Sequence, residues 1–423
     1  MSGFGYRSGS LHADAVPLAD IAAAVGTPCY VYSASAMREL AAAFRDAFAG
    51  ERALFCYAVK ANSNLAVIRL FANEGLGADT VSGGEIARAL EAGVPPQRIV
   101  YAGIAKTDDE IRMALATGIL QFNVESAQEL RRIAELAAAM GVTAPVALRV
   151  NPDVDAGTHE KISTGRKHDK FGIPYEEAPA LYRLAAEIEG IEPVGVHLHI
   201  GSQIGRLDPF EAAYQRGAEL FTTLRAEGIP LRRLDLGGGF GVRYLDEPRV
   251  EAQALAALVR RVTAGLDCEL LFEPGRALVA EAGVIVTSVI YLKESGGRRF
   301  LVLDSGMHIL IRPAMYGAHH PVLPVREPTA DAPMLAMDVV GPICESSDIL
   351  GRDRMLPELA AGDLVAITGA GAYGAVMASD YNSRPSAAEV MVAGERFAVV
   401  RPSLGIERQF ADERIPEWLG RTG

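Results

Sequence analysis

The sequence predicts an α/β protein with a (β/α)8 barrel of the TIM type followed by a C-terminal all-β domain. An apolar run, a polar loop and an amphipathic helix recur about eight times over roughly 230 residues, which is the size and repeat count of such a barrel. After about residue 278 helical periodicity is lost, and short apolar runs alternate with turns. A doubly wound sheet is the main alternative, but it would need fewer units or a phosphate-binding loop after the first strand.

The predicted elements follow in chain order. A short helical pattern at residues 17–25 and an apolar run at residues 29–32 precede a helix at about residues 36–48, which Ser33 or Ser35 could cap. The barrel strands are predicted at residues 53–60, 77–82, 99–103, 122–125, 146–151, 194–199, 234–239 and 268–272. The helices after them are predicted from about residue 64 and at residues 84–92, 107–117, 127–140, 175–188, 209–227 and 250–266. The C-terminal strands are predicted at residues 284–292, 299–303, 335–340, 363–367, 390–392 and 396–400.

Composition excludes several classes of function. The 423 residues are 49% hydrophobic and 22% charged, which is typical of a soluble globular protein. A net charge of −12 argues against a nucleic-acid-binding surface. The four cysteines form neither a CxxC motif nor a cluster with histidine, so neither disulfides nor a metal site is indicated. Because we find no signal peptide and no membrane-spanning apolar run, we expect a cytoplasmic protein with no membrane partner.

An apolar run that ends abruptly in Lys60 organises the first part of the barrel. Residues 53–59 suit a strand buried on both faces. A lysine at its end is costly unless the ammonium group reaches solvent or a polar cavity. We therefore expect either a lysine that extends to solvent or a desolvated amine with a lowered pKa, suited to forming a Schiff base.

Polar residues collect at the ends of the predicted strands. In a (β/α)8 barrel these ends meet on one face, which carries the active site. Their joint placement favours an active site over a set of unrelated structural residues. The strand-end residues are Lys60, Asp79, Asn123, Glu125, Arg149, Asn151, His197, His199, Gly237, Gly238, Gly239, Glu273 and Arg276.

Three of these strand ends suggest particular chemistry. Residues 237–241 hold four glycines in five positions, which suits an anion such as phosphate better than a simple tight turn does. Glu273 suits a protonated ring nitrogen, with an internal ion pair to Arg276 as the alternative. His199 points the same way as His197 and could stack on a flat cofactor. A metal-binding histidine pair is the rival interpretation, but it lacks a placed third ligand.

Short motifs stand in a characteristic order along the chain. They are YAVKAN (57–62), ISTG (162–165), KFG (170–172), HLHIGSQ (197–203), GGG (237–239), EPGR (273–276), RPAMY (312–316), CESSD (344–348) and GAYG (371–374). In this order the chain resembles the bacterial diaminopimelate decarboxylases, which are fold type III pyridoxal-phosphate enzymes, from its first residues to about residue 401. The YAVKAN, HLHIGSQ, GGG and EPGR motifs would also suit ornithine or arginine decarboxylases, whereas CESSD, RPAMY and GAYG point to diaminopimelate.

The resemblance implies pyridoxal 5'-phosphate as cofactor and a role for each matching residue. Lys60 would bind the cofactor covalently, His199 would stack on its ring, and Glu273 would pair with the ring nitrogen. Cys344 would donate a proton. The phosphate and its surroundings would be held by Ser202, Gly238, Gly239, Glu273, Pro274, Gly275, Arg276 and Tyr373. The amino-acid substrate would be bound by Arg276, Arg312, Tyr316, Glu345 and Tyr373.

The implied reaction is decarboxylation of meso-2,6-diaminopimelate to L-lysine and CO2, the last step of lysine biosynthesis. The loop with Cys344 would come from the partner in a homodimer with shared active sites. We expect residues 36–278 to form the barrel, and residues 1–35 with 279–423 to form a β-rich domain that completes the active site and dimer interface. Two alternatives remain, a decarboxylase of ornithine, arginine or a carrier-tethered glutamyl group, and a non-catalytic pyridoxal-phosphate-binding protein. His308, where the family usually has asparagine, could alter packing beside Arg312.

Overall fold

The computed structural model describes residues 3–155 and 170–420. The ISTG motif at residues 162–165 lies outside these described residues. Within the described ranges, we find no helix that is both long enough and apolar enough to cross a membrane.

The N-terminal segment forms a small antiparallel sheet and then enters the larger structure. Its elements are β1 (Phe4–Arg7), β2 (Ser10–Ala13), β3 (Val16–Pro17), α1 (Leu18–Val25), β4 (Cys29–Ser33) and α2 (Ala34–Ala47). Ser33 caps α2, because its Oγ accepts a hydrogen bond from the Ala36 amide at 3.0 Å. Ser35, the other predicted cap, instead donates to Asp14 Oδ2 at 2.8 Å.

In the described part of the chain, eight parallel strands pair in sequence and close a barrel, as predicted. They are β5 (Ala53–Ala58), β6 (Gly77–Thr80), β7 (Ile99–Tyr101), β8 (Gln121–Val124), β9 (Ala144–Asn151), β11 (Ile191–Leu198), β12 (Arg233–Asp235) and β13 (Glu269–Phe272), with a two-residue strand β10 (Ile173–Pro174) beside β9. The pairing of β13 with β5 closes the ring. Because all eight strands are parallel, their carboxyl ends lie at one mouth.

Helices cover the outside of the barrel. They are α3 (Leu65–Asn73), α4 (Gly83–Glu91), α5 (Asp108–Thr117), α6 (Ala127–Met140), α7 (Ala178–Glu187), α8 (Asp208–Ala226) and α9 (Ala252–Val262). Helix α2 contacts both α3 and α9 and so completes the ring of helices. Phe48, the C-cap residue of α2, packs against Phe55 of β5 and Phe272 of β13, whose rings stack at 5.0 Å. This aromatic contact fixes α2 over the seam where the barrel closes.

The rest of the chain is rich in β-strands. Its elements are α10 (Arg276–Val279), β14 (Gly283–Ser295), β15 (Arg298–Leu303), α11 (Arg312–Tyr316), β16 (Val322–Pro324), β17 (Met334–Val340), β18 (Ile349–Pro357), β19 (Leu364–Ile367), β20 (Ala388–Ala393), β21 (Arg396–Arg401) and α12 (Ile406–Gln409). Strand β4 lies between β14 and β20, so this β-rich domain takes up the N-terminal segment, as predicted.

Two expectations about strands need correction. Strand β5 ends at Ala58, so Lys60 lies on a short 3-10 turn, Val59–Ala61, and not on the strand itself. Strand β18 was not predicted, because Arg352, Asp353 and Arg354 interrupt its apolar pattern. Its pairing with β17, a contact between segments distant in sequence, makes it a strand.

Candidate active site

The candidate site lies at the carboxyl ends of the barrel strands, beneath a loop of the β-rich domain. The Tyr373 amide donates to the Ala61 carbonyl at 2.8 Å, and Asn62 Nδ2 donates to the Gly371 carbonyl at 3.2 Å. These hydrogen bonds join the GAYG motif directly to the turn that carries Lys60. The β-rich domain therefore supplies one wall of the site.

Lys60 pairs with a buried acid at the end of the next strand. Its Nζ donates to Asp79 Oδ2 at 3.0 Å, and the lysine side chain is 35% exposed while that of Asp79 is fully buried. Burial lowers the pKa of Lys60, but Asp79 and its neighbours outweigh this effect and raise the pKa above its ordinary value. The expected lowered pKa is therefore wrong for the lysine in this state. Burial, reinforced by Glu273, raises the pKa of Asp79 to about 7.

Glu273 is a buried carboxylate held by donors from two other strands. Asn123 Nδ2 donates to its Oε1 at 3.0 Å, and His197 Nε2 lies 3.3 Å from its Oε2. Burial alone would raise the pKa of Glu273, but His197, Lys60 and the hydrogen bonds lower it to about 2. Glu273 is therefore an anion at neutral pH, as its predicted role requires.

A third buried acid, Asp235, lies beside Glu273 and His197. Burial and the charge of Glu273 raise the pKa of Asp235 to about 8. One ligand atom from each of His197, Asp235 and Glu273 lies within 4.8 Å of the other two, a spacing that a metal ion could span. However, Asn123 Nδ2 donates to both carboxylates, at 3.0 Å to Glu273 and 3.4 Å to Asp235, so a donor already faces the position that a cation would take.

His199 follows β11 and is the less buried of the two histidines. Burial, aided by the nearby Arg149 and Lys60, lowers its pKa well below the ordinary value, so the ring is neutral. The Gly238 amide lies 3.4 Å from His199 Nδ1 and donates to it. A neutral imidazole fixed by a backbone amide is suited to stacking on a flat ring.

The glycine turn allows three loops to approach each other closely. A Cβ on Gly238 would lie 2.1 Å from the Glu273 carbonyl oxygen, and a Cβ on Gly239 would lie 2.2 Å from the Gly201 carbonyl oxygen. Gly239 also has a φ of 92°, which side chains rarely adopt. Glycine is therefore required here by packing as well as by any bound anion.

The EPGR motif brings Arg276 into the same mouth. The Pro274 carbonyl accepts a hydrogen bond from the Ala58 amide, and a Cβ on Gly275 would lie 2.9 Å from the Ala58 side chain. Arg276 donates to Ser202 Oγ at 3.2 Å, and its guanidinium lies 4.7 Å from the centre of the Tyr373 ring. These contacts bring Ser202, Arg276 and Tyr373 together.

Arg312, at the start of α11, lies against the ring of Tyr244. Its guanidinium is 4.8 Å from the centre of the Tyr244 ring, whose hydroxyl accepts from Arg276 Nη1 at 2.9 Å. Tyr316 is one helical turn beyond Arg312 on α11 and lies near enough to affect the pKa of Arg276. Two buried guanidinium groups thus share one aromatic wall.

Cys344 and Glu345 lie on an exposed loop of the β-rich domain. The Cys344 amide donates to Asn382 Oδ1 at 2.9 Å, and Glu345 Oε2 accepts from the Tyr381 hydroxyl at 3.3 Å. Among the described residues, these hydrogen bonds do not link either residue to Lys60 or Glu273. The structure of one chain therefore does not bring Cys344 and Glu345 together with the other predicted site residues.

Sequence reasoning missed the partners that orient the predicted groups. Asp79 was noted only as a strand end, and Tyr244 and His320 were not singled out. The histidine hydrogen-bonded to Arg312 is His320, at 2.8 Å. The available signal was the His319-His320 pair a few residues after the RPAMY motif.

Comparisons with known proteins agree with this geometry. The family described as "Pyridoxal-dependent decarboxylase, pyridoxal binding domain" matches residues 34–280. A diaminopimelate decarboxylase from Zymomonas mobilis is 48% identical, covering 98% of this chain and 99% of that protein. One from Pseudomonas aeruginosa is 49% identical, with 98% and 99% covered.

Solved structures give the same result. Diaminopimelate decarboxylase from Helicobacter pylori complexed with L-lysine has a TM-score of 0.90 and 41% identity, covering 93% of this chain and 98% of that one. The enzyme from M. jannaschii in complex with L-lysine has a TM-score of 0.93 and 36% identity, with 99% of each chain covered.

Proposed function

Because this chain belongs to the diaminopimelate decarboxylases, a family of pyridoxal-dependent enzymes, we propose that the barrel mouth binds pyridoxal 5'-phosphate and meso-2,6-diaminopimelate. The chain is a carboxy-lyase that converts this amino acid to L-lysine and CO2, the last step of lysine biosynthesis. The observation that carries the assignment is one mouth that combines a lysine–acid pair with two buried arginines.

The residues present fit the cofactor. Glu273 is a buried carboxylate that His197 and Asn123 keep anionic, so it can pair with a protonated ring nitrogen. The glycine turn, Ser202 and Arg276 lie around a second part of the mouth and suit a phosphate. When bound, the cofactor would supply an aldehyde for covalent attachment and a ring that takes up the electron pair left on the substrate carbon when CO2 departs.

Lys60 is the residue that binds the cofactor covalently. Its amine must lose a proton before it can act as a nucleophile, and the raised pKa of Lys60 opposes this loss. Asp79 Oδ2, 3.0 Å from Nζ, accepts a hydrogen bond from the amine and orients it. Because the charge of Asp79 stabilises the ammonium form, Asp79 is a positioning residue for Lys60 and not the base that frees the amine.

Glu273 and His199 hold the ring of the cofactor. Glu273 is kept anionic by His197 and Asn123 and would keep the ring nitrogen protonated. The neutral imidazole of His199 would lie against the ring without adding a charge. Both residues act by fixing the position and charge of the ring.

Arg276 and Arg312 bind the distal carboxylate of the substrate, and Tyr316 and Tyr373 complete the walls of that pocket. Guanidinium groups suit carboxylates because their donors match both oxygens. The substrate has a second zwitterionic end that a simple amine lacks, which is why two arginines are useful here. Glu345 would accept hydrogen bonds from the distal ammonium group.

A second copy of the chain would complete the site. Cys344 and Glu345 are exposed on one chain, and their hydrogen bonds go to Asn382 and Tyr381 of the same β-rich domain. A head-to-tail homodimer, with residues 36–278 as barrel and the remaining segments as the partner-facing domain, would bring this loop to the other subunit's Lys60. The Cys344 thiol would then protonate the substrate carbon that has lost CO2.

The test is product identification. Purified protein with pyridoxal 5'-phosphate should release CO2 from meso-diaminopimelate and form L-lysine. Ornithine, arginine and glutamyl substrates serve as controls at the same concentrations. Faster turnover of any control would contradict the assigned substrate, and no CO2 from any of them would favour a non-catalytic binding protein.

A further inference from the structure

We propose that Tyr244 and His320 are positioning residues that hold Arg276 and Arg312 at a fixed spacing, and that this spacing selects substrates with a distal carboxylate. The inference rests on the proposed function, in which the two arginines bind that carboxylate. Neither Tyr244 nor His320 belongs to the motifs by which the chain resembles its family. Their role follows from their contacts.

His320 is locked in one tautomer. Its Nδ1 lies 2.8 Å from the Thr368 carbonyl, which can only accept, so Nδ1 carries the hydrogen. Nε2 therefore presents its lone pair, and it lies 2.8 Å from Arg312 Nη1, which can only donate. His320 is fully buried, and burial together with Arg312 lowers its pKa to about 3, so the ring stays neutral. A neutral, buried acceptor orients the Arg312 guanidinium and leaves its positive charge available to a ligand carboxylate.

Tyr244 is shared by both arginines. Its hydroxyl accepts from Arg276 Nη1, its ring faces the Arg312 guanidinium, and its edge meets His320 with ring centres 5.2 Å apart. Gly369 packs closely against the Tyr244 ring, because a Cβ on Gly369 would lie 3.0 Å from that ring. Tyr244 cannot shift without moving at least one arginine.

Arg276 is also held by two residues other than Tyr244. Ser202 accepts from its Nη2, and Tyr373 stacks on its guanidinium. With Arg276 fixed by the barrel and Arg312 fixed by His320, Tyr244 sets the distance between them. Preorganised donors cost less on binding, so a ligand carboxylate gains affinity only while this spacing is kept.

Two substitutions at His320 separate its hydrogen bonds. His320→Gln places an amide oxygen near the position of Nε2 and can still accept from Arg312. His320→Asn keeps the donor toward Thr368 but loses that acceptor. Tyr244→Phe is a milder third variant, which keeps the ring and removes the hydroxyl bonded to Arg276.

Equilibrium titrations on the cofactor-loaded protein would compare L-lysine with cadaverine, which has no carboxylate. In His320→Asn we expect L-lysine to bind about tenfold to a hundredfold more weakly, the effect of losing a hydrogen bond to a charged group. Cadaverine binding and the absorbance of the bound cofactor should not change. The KM for diaminopimelate should rise by a similar factor with little change in kcat, and His320→Gln should restore most of the loss. Tyr244→Phe should weaken L-lysine binding severalfold, again without an effect on cadaverine.

Equal weakening of both ligands, or unchanged L-lysine binding in His320→Asn and Tyr244→Phe, would overturn the inference. If His320→Asn fails to fold, Tyr244→Phe alone decides between these outcomes. Failure of the wild-type protein to decarboxylate diaminopimelate would instead contradict the proposed function, so the two failures are distinguishable.

Discussion

The barrel carries two lysines after its strands, Lys60 after β5 and Lys106 after β7, and only Lys60 is suited to covalent chemistry. Lys106, in the loop after β7, is 1% exposed, and its Nζ donates to the Gly103 carbonyl, the Asn123 carbonyl and Glu129 Oε1 at 2.6–2.9 Å. Lys60 is 35% exposed, and among the described residues its hydrogen-bond acceptor is Asp79. An ammonium group has three hydrogens, so Lys106 is saturated and Lys60 is not.

The comparison shows that burial alone does not identify a reactive lysine. Lys106 is the more deeply buried of the two, yet all three of its donors are used, one within its own loop and two in joining that loop to β8 and α6. Lys60 retains donors that face the mouth of the barrel. A partly exposed lysine with unused hydrogen-bonding capacity and one buried acid partner is therefore the better candidate for covalent chemistry.

The largest expected effect comes from Lys60→Ala. We expect turnover to fall on the order of 10⁴-fold or more, as when a covalent catalyst is removed, and the absorbance of bound cofactor to disappear. Circular dichroism should show the fold retained. Turnover near the wild-type rate would contradict the covalent role that is proposed for Lys60 and not for Lys106.

Cys344→Ala tests whether Lys60 depends on a proton donor from another subunit. Substrate should still bind, while kcat falls by about two to four orders of magnitude if the thiol is the general acid. The buried Cys29 provides a matched control, since Cys29→Ala should leave kcat unchanged.

Mixing Lys60→Ala with Cys344→Ala protein tests the shared site directly. After subunit exchange, each mixed dimer would have one intact site, so activity should recover to at most about a quarter of the wild-type value. No recovery after demonstrated exchange would contradict the proposed dimer.

Asp79→Asn tests the role of the acid that is paired with Lys60. We expect kcat to fall about tenfold to a hundredfold, because the charge-assisted hydrogen bond that orients Nζ is weakened. The negative charge of Asp79 raises the pKa of Lys60, whereas burial alone lowers it. Cofactor incorporation into the apo protein, measured against pH, should therefore reach its midpoint at lower pH in the variant. A midpoint that stays in place or moves to higher pH would contradict this assignment.

The smallest effect on turnover is expected from Lys106→Met. Its kcat should match the wild-type value, but the free energy of unfolding should fall by about 3 kcal/mol, because Glu129 is left buried without its cation. Urea denaturation provides the measurement. The double variant Lys106→Met, Glu129→Leu should recover part of the stability. A large loss of kcat with unchanged stability would show that Lys106 also has a chemical role.

Much of the fold could be predicted because its signals are local. The alternation of apolar runs and amphipathic helices predicted the barrel, and helix α6 lies at the residues expected. Strand ends converge in any parallel barrel, so the sequence also placed Lys60 and Glu273 near each other. Strands β16 and β18 were missed because pairing with distant segments, rather than local pattern, makes them strands.

The state of the site residues was less predictable. The pKa of Lys60 depends on Asp79, nineteen positions away, and the orientation of Arg312 depends on His320 and Thr368. The hydrogen-bond partner of Arg312 is His320, eight positions along the chain, and local sequence does not indicate that pairing. The roles assigned to individual site residues remain predictions for the experiments above.

The sequence by itself determined the barrel, the set of strand-end groups and the family, because periodicity and short motifs are written in consecutive residues. Only the tertiary structure decided which of these groups touch, which lysine keeps unused donors, and which residues fix the two arginines. Those properties depend on distance, burial and charge between segments far apart in the chain. For the Cys344 loop even the tertiary structure of one chain is not enough, because its predicted contribution to the active site requires a second copy of the chain.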